Sequence, residues 1–297
     1  HTGLEGDALG SELALAALLG KLGKRAYILN NDRTPDNYSF LPGANRIRHR
    51  LNNARFDALF LVDCSNKRRA GAITALFDNS LPVINVDHHI DNKGFGQANW
   101  VDPCASSAGE MIFQLFKPLG VKLEKPDAVN IYTAISTDTG SFRHYNTTST
   151  AFNICSELLR TGISPARIHT QIYEVNNASD VAFVATVLSR MKFTANNKIA
   201  WTKINRGELK SIEGRHEIMS RILDFAKSIN TVKVVVILSQ ANNGLVKLSF
   251  RSKSPINVQK IALIFGGGGH KYASGCTVKG KIDTLEKKVL REIKRVL

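Results

Sequence analysis

No stretch of this chain approaches the roughly 18 consecutive apolar residues that a membrane-crossing helix requires, so nothing in it reads as a bilayer span. Its opening, HTGLEGDALG, has neither the basic start nor the apolar middle of a secretory signal. Cysteine is scarce, and Cys64, Cys104, Cys155 and Cys276 lie far apart with no CxxC spacing. That argues against a disulfide framework or a zinc knuckle and fits reduced thiols in the cytoplasm. Repeats and low-complexity tracts are also missing. No strand pattern precedes His1, and a parallel sheet beginning at Arg25 would leave that residue unsupported. The expectation is a further upstream segment of about ten residues that ends in a strand. Acidic residues run short late in the chain: residues 191–297 hold 7 Asp/Glu against 21 Lys/Arg, whereas residues 1–190 hold 18 against 19. The formal net charge of +15 therefore sits almost wholly in the last third. Such asymmetry suggests an anionic partner, with phosphate the obvious chemistry. A solvated basic surface is the plain alternative.

What is present is organised in two textures, as 297 residues allow. Apolar runs at Arg25–Asn30, Ala58–Asp63 and Pro82–Asp87 read as buried strands. They alternate with helical patterns at Ser11–Leu22, Ala70–Phe77, Ala108–Phe116, Pro126–Thr137 and Thr150–Leu159. That alternation implies α/β architecture with a parallel sheet. Ser107 and Glu110 have the spacing of a capping box. After a helical stretch over Asp180–Lys192, strand patterns at Ile199–Ile204, Val232–Ser239 and Gly244–Phe250 mix with helices at Glu217–Ile229, Val258–Phe265 and Thr284–Val296. The expectation is two domains: an α/β domain over 1–190 and a smaller α+β domain over 191–297, with a site in the cleft between them. The last helix carries Leu285, Val289, Ile293 and Val296 on one face and cations on the other, and no catalytic role is expected of it.

Open α/β sheets bind ligands at the carboxyl ends of their strands. Two predicted strands end in an aspartate, at Asp63 and at Asp87, the latter followed at once by His88 and His89. A third cluster is His1, Glu5 and Asp7, just before a helix; a fourth is Asp138 in STDTGSFRH. A lone Asp at a strand end is usually a cap, and paired histidines are usually packing, but four such clusters on one sheet edge call for another account. Carboxylates and imidazoles without a thiolate suit Mn²⁺ or Mg²⁺. Carboxylates can also bridge two cations about 3.5–4 Å apart, the spacing used for in-line phosphoryl displacement.

The string Gly266, Gly267, Gly268, Gly269 followed by His270 carries an entropic cost that some backbone requirement should explain. One reading is a loop whose exposed N–H groups, with His270 and Arg251, receive a phosphate; the other is a hairpin turn. Arg69, Arg143 and Asn146 are further candidates for contacting phosphate, and each arginine could instead form a structural ion pair.

The spacing His1-x3-Glu5-x-Asp7-Ala-x-Gly-Ser, Asp63 followed by Arg69 and Gly71, Asp87-His88-His89 and Asp138-Thr-Gly-Ser-Phe-Arg143 resembles the four motifs of the DHH phosphoesterases. Ser249–Lys253 and Phe265–Gly275 resemble the domain that accompanies them. Within that superfamily the likeness is greatest to the oligoribonuclease/pAp phosphatase group. The resemblance implies hydrolysis of short oligoribonucleotides, removal of the 3′-phosphate of adenosine 3′,5′-bisphosphate, or both. It implies two divalent cations, Mn²⁺ ahead of Mg²⁺ or Co²⁺, held by His1, Asp7, Asp63, His88 and Asp138 with Asp63 bridging. His89 would face the scissile phosphate and Asp87 would orient a neighbour. Glu5 stands where the family usually has Asp, which leaves open whether it ligates. Implied partners are short single-stranded RNA or DNA or nucleotide bisphosphates, with no membrane, and a homodimer is compatible. A cyclic di-AMP or linear dinucleotide phosphodiesterase is the enzymatic alternative, and a non-catalytic nucleotide-binding relative the other.

Overall fold

The computed structural model describes all residues except 51–54, 77–80, 176, 195 and 213–215. It divides into two compact units, His1–Val175 and Asn176–Leu297. The division lies one helix earlier than the change of charge near residue 190. Phe183, Val184, Val187 and Leu188 of that helix pack into a core of the second unit, which assigns it there.

In the first unit the elements are α1 (Gly6–Lys21), β1 (Ile28–Leu29), β2 (Ile47–Arg48), β3 (Leu59–Val62), β4 (Val83–Asp87), β5 (Ala98–Val101), α2 (Ala108–Phe116), α3 (Lys125–Asp138), α4 (Ser149–Leu159) and α5 (Pro165–Tyr173). Strands β3, β4 and β5 form a parallel sheet in that order, and β1 pairs in parallel with β2. Apolar residues at helical spacing on α2, α3 and α4 build the main core, with Met111, Ile112, Ile131, Ile135 and Leu158 fully enclosed. The helix expected over Ala70–Phe77 is a 3₁₀ segment, Lys67–Leu76, broken at Gly71, whose φ of 65° no continuous helix contains. Phe77 lies outside the described residues. The capping box is half formed: Ser107 Oγ accepts from Glu110 N–H, but Glu110 turns to the backbone and hydroxyl of Ser106 instead.

The second unit contains α6 (Ala178–Ser189), β6 (Lys192–Phe193), β7 (Ile199–Ile204), α7 (Arg206–Ser211), α8 (His216–Ser228), β8 (Val234–Gln240), β9 (Leu245–Ser252), α9 (Val258–Ile264), β10 (Gly268–His270), β11 (Ala273–Lys279) and α10 (Ile282–Arg295). Among the described residues its strands form one sheet in the order β10-β11-β9-β8-β7-β6, antiparallel except for β7 with β8. Alternation along β8 divides its side chains between two cores. Val234, Val236 and Leu238 meet α9 and α10, while Val235 and Ile237 meet α6 and α8.

The glycine string is not a loop throughout. Gly266 (φ 75°) and Gly267 close the end of α9, their N–H groups donating to the carbonyls of Leu263 and Ala262, and the chain then enters β10. Gly267 has no room for a side chain, since a Cβ would stand 2.1 Å from Gly275 O. Close packing of the β10–β11 hairpin thus accounts for part of the string.

Candidate metal centre

Parallel pairing sets the carboxyl ends of β3 and β4 side by side, with Asp63 N–H donating to Val86 O at 2.9 Å. At that edge Asp63 takes a left-handed backbone conformation, φ 59°, which turns its side chain off the strand direction; such strain collects at functional sites. Asp87 ends β4, His88 and His89 follow it, and all three are buried. Asp7, in the first turn of α1, reaches the same place. Its two carboxylate oxygens accept from the N–H groups of Ala108 and Gly109, at 2.8 and 2.9 Å. These are orphan donors at the start of α2, where a negative charge is favoured.

His88 stands in the middle. Its Nε2 lies 3.5 Å from Asp7 Oδ2, 3.6 Å from Asp63 Oδ1 and 3.8 Å from Asp138 Oδ2. These separations exceed hydrogen-bond length but suit groups arranged around a common cation. Ligand atoms of Asp7, Asp63 and His88 fall within 4.8 Å of one another, and so do those of Asp63, Asp87 and His89. Asp63 is common to both sets. His89 Nδ1 lies 2.8 Å from Asp87 Oδ1 and 3.6 Å from Asp63 Oδ1.

The electrostatics follow from burial in a crowd of like charges. Burial, followed by repulsion from Asp63, pushes the Asp7 carboxyl well above its ordinary range, against the pull of His88. Burial pushes Asp138 up to about 6, with Glu5 and Asp63 adding to the shift. Burial also works to raise Asp63, but the two imidazoles and Arg69 outweigh it and hold that carboxyl low. Burial works to lower His88, and the three surrounding carboxylates more than reverse it. Protons on Asp7, Asp138 and His88 would compete with a cation there.

Buried polar atoms test whether these side chains fit metal ions. His1 is 6% exposed, yet neither of its ring nitrogens has a hydrogen-bond partner among the described residues. Asp63 Oδ1 is likewise buried without accepting a hydrogen bond. Leaving such groups unsatisfied costs about 1–3 kcal/mol each, and a cation would satisfy both. The donor set fits.

Glu5 occupies the N-cap position of α1 with an exposed side chain, close enough to Asp138 to raise it. Arg69 sits on the 3₁₀ segment beside Asp63, and its carbonyl accepts the N–H of Thr2 at 2.7 Å. Asn146 Nδ2 donates to Asp138 Oδ2 and Ser106 O, both at 2.8 Å, so this amide is occupied in fixing Asp138. Arg143 is exposed and donates from Nε to Gly140 O. In the second unit Arg251 donates to Phe250 O at 3.2 Å and stands 3.9 Å from Asp224.

Three supporting residues escape a reading of motifs. Asn30 Oδ1 accepts from the His1 main-chain nitrogen at 2.8 Å and its amide donates to Glu12, so it fixes where His1 stands. Asn92 Nδ2 donates to Asp87 Oδ2 at 2.6 Å and Asn85 Oδ1 at 2.7 Å, and Asn85 in turn donates to Leu61 O and Cys64 O. The usable signal was Asn85, a polar residue in the middle of the apolar run VINVD.

A parallel sheet whose strand ends gather carboxylates and imidazoles around one shared aspartate has the make-up of a metal-dependent hydrolase site. The chain belongs to the DHH family. Residues 1–137 match the DHH family N-terminal domain, and residues 181–296 match the DHHA1 domain. It is 30% identical to the bifunctional oligoribonuclease and PAP phosphatase NrnA of Thermus thermophilus, over 100% of this chain and 88% of that protein. It is 25% identical to the NrnA of Bacillus subtilis, over 94% of this chain and 87% of that one. An exopolyphosphatase-related protein from Bacteroides fragilis has a solved structure that superposes with a TM-score of 0.86 at 26% identity, covering 98% of this chain and 90% of that one.

Proposed function

We propose that this chain is a Mn²⁺-dependent phosphoesterase that cuts short oligoribonucleotides to mononucleotides and removes the 3′-phosphate of adenosine 3′,5′-bisphosphate. The observation that carries the reading is Asp63, shared between the Asp7–His88 and Asp87–His89 groups of candidate ligands. Likeness over the full chain to a relative with those two activities supports the substrate class. We place its work in the cytoplasm, a reading supported by four free thiols.

His1, Asp7, Asp63, His88 and Asp138 would hold two cations, with Glu5 beside the first. When bound, such cations supply Lewis-acid polarisation of the phosphoryl group and a more acidic water. The protein's own contribution is orientation and proton placement. Asp87 accepts the Nδ1 proton of His89, which fixes that tautomer and leaves Nε2 to face the ester. Asn146 holds Asp138 in place, and the start of α2 holds Asp7. Arg69, Arg143, Arg251, His270 and the backbone of Gly268 and Gly269 would contact substrate phosphate.

A product-versus-length assay tests the proposal, using 5′-labelled RNA of two to about twenty-four nucleotides, adenosine 3′,5′-bisphosphate and cyclic di-AMP, with Mn²⁺ or chelator. Fastest turnover of the shortest strands and of the bisphosphate, abolished by chelator, is expected. Preferential cleavage of cyclic di-AMP would move the assignment to a cyclic dinucleotide phosphodiesterase. Absence of metal-dependent turnover on every substrate would mean a binding relative.

A further inference from the structure

Helix α10 has segregated charge. Three apolar residues, Leu285, Val289 and Ile293, are buried against the sheet. Its three acids serve intramolecular partners. Glu286 accepts the Trp201 indole N–H at 2.8 Å and pairs with Lys203 at 2.9 Å, Asp283 pairs with Lys203 at 2.8 Å, and Glu292 pairs with Arg295. Six cations remain on the outside: Lys281, Lys287, Lys288, Arg291, Lys294 and Arg295, every one exposed. At 100° per residue, these six and Thr284 fill a continuous arc of roughly 140°, and no acid falls inside it. Lys281, Lys288, Arg291 and Lys294 form no ion pair among the described residues. A surface kept basic only for solubility would mix its signs and pair them at i,i+4; here the acids have been withdrawn to the arc's edges.

We propose that the outer face of α10 is a docking strip for the phosphate backbone of single-stranded RNA, separate from the hydrolytic site. From Lys281 to Arg295 the strip is about 21 Å long. That exceeds what a dinucleotide or a bisphosphate nucleotide needs, so the strip suits a longer strand. The helix contains no aromatic residue on which a base could stack. Recognition is therefore electrostatic and indifferent to sequence, in contrast to platforms that stack bases. The physical source of affinity is release of counterions condensed on the strand, which scales with the number of phosphates neutralised. An enzyme for very short strands gains from such a strip by being held near longer RNA that is being shortened. The inference rests on the nucleotide chemistry proposed above, but its first readout is binding in chelator, which does not depend on hydrolysis.

The experiment titrates a labelled 24-nucleotide RNA with the full chain, in chelator, across salt concentrations. The variant is Lys288→Gln/Arg291→Gln/Lys294→Gln, none of whose side chains is buried. Losing three phosphate contacts should flatten the slope of log K against log salt by about 2 and weaken binding roughly a hundredfold near 0.1 M salt. The charge-preserving variant Lys288→Arg/Arg291→Lys/Lys294→Arg should bind as the parent does. Turnover of a dinucleotide should be the same in all three. An unchanged affinity and slope in the Gln variant would overturn the proposal. So would a parallel loss on the dinucleotide, which would make the strip part of the substrate site. Tighter binding to phosphatidylserine vesicles than to the strand would overturn it too, in favour of a membrane surface.

Discussion

Asp87 Oδ1 and His89 Nδ1 lie 2.8 Å apart at the end of β4, and Asn92 holds the other Asp87 oxygen at 2.6 Å. The carboxylate thus has no freedom to turn away from the imidazole.

Replacing Asp87 by Asn would present an amide to His89 and favour the wrong tautomer. The expected outcome is a fall in kcat of about 10²–10⁴-fold, the range associated with a lost proton-transfer group, with little change in KM. Steady-state kinetics on a dinucleotide check this. Equal losses in kcat and in thermal stability would mean that Asp87 serves the fold instead.

Asp63 belongs to both groups of candidate ligands, so Asp63→Asn should weaken both cations together and reduce turnover by several orders of magnitude. Glu5→Asp, by contrast, should be tolerated or should tighten the first cation. Calorimetric Mn²⁺ titration of the two variants decides. An Asp63→Asn enzyme within about tenfold of the parent would remove the bridging assignment.

Cation binding should carry a steep pH dependence. Asp138 is pushed up to about 6, and Asp7 is raised well above its ordinary range by burial and by Asp63. A cation displaces those protons, so affinity should fall as pH drops through about 6 and binding should release protons. Titrations in two buffers of different ionisation enthalpy detect them, with net proton release expected near pH 6. No proton release would contradict the cluster's role as a cation site.

Glu12 offers a stability test close by. Burial pushes its carboxyl up from 4.5 to about 8, against the opposing hydrogen bond from Asn30. A carboxyl raised on folding favours the folded state while protonated. Its contribution is therefore fully present below about pH 4.5 and is lost as pH rises through about 8. Glu12→Gln keeps the acceptor for Asn30 and removes the charge. In chelator it should be the more stable protein at pH 9, by on the order of 1–2 kcal/mol, with no advantage at pH 4. Urea unfolding at the two pH values is the measurement.

Much of the candidate site was legible because its residues sit at strand ends after apolar runs, as Asp63 and Asp87 do. Helix α2 was legible from its apolar spacing, and its observed limits are Ala108–Phe116. What escaped has physical reasons. Helix α5 buries only Ile168 and Ile172, too few apolar positions to show a period, although Ser164 and Pro165 are start signals. Strands β10 and β11 hide in a glycine-rich segment, because their pairing replaces side-chain packing with close backbone approach. Asn92 and Asn30 carry no pattern at all; they matter through contacts that only the folded chain creates.

The hold of α2 on Asp7 joins residues about a hundred positions apart in the chain. During synthesis at about 5–20 residues per second, Asp7 emerges roughly 5–20 s before Ala108 and Gly109 exist. Throughout that interval the Asp7 carboxylate lacks the two N–H donors that fix it. The complete set of candidate ligands therefore follows the ribosome's passage beyond α2, and a transcript truncated before that helix would yield a polypeptide with the first motif intact and Asp7 unanchored.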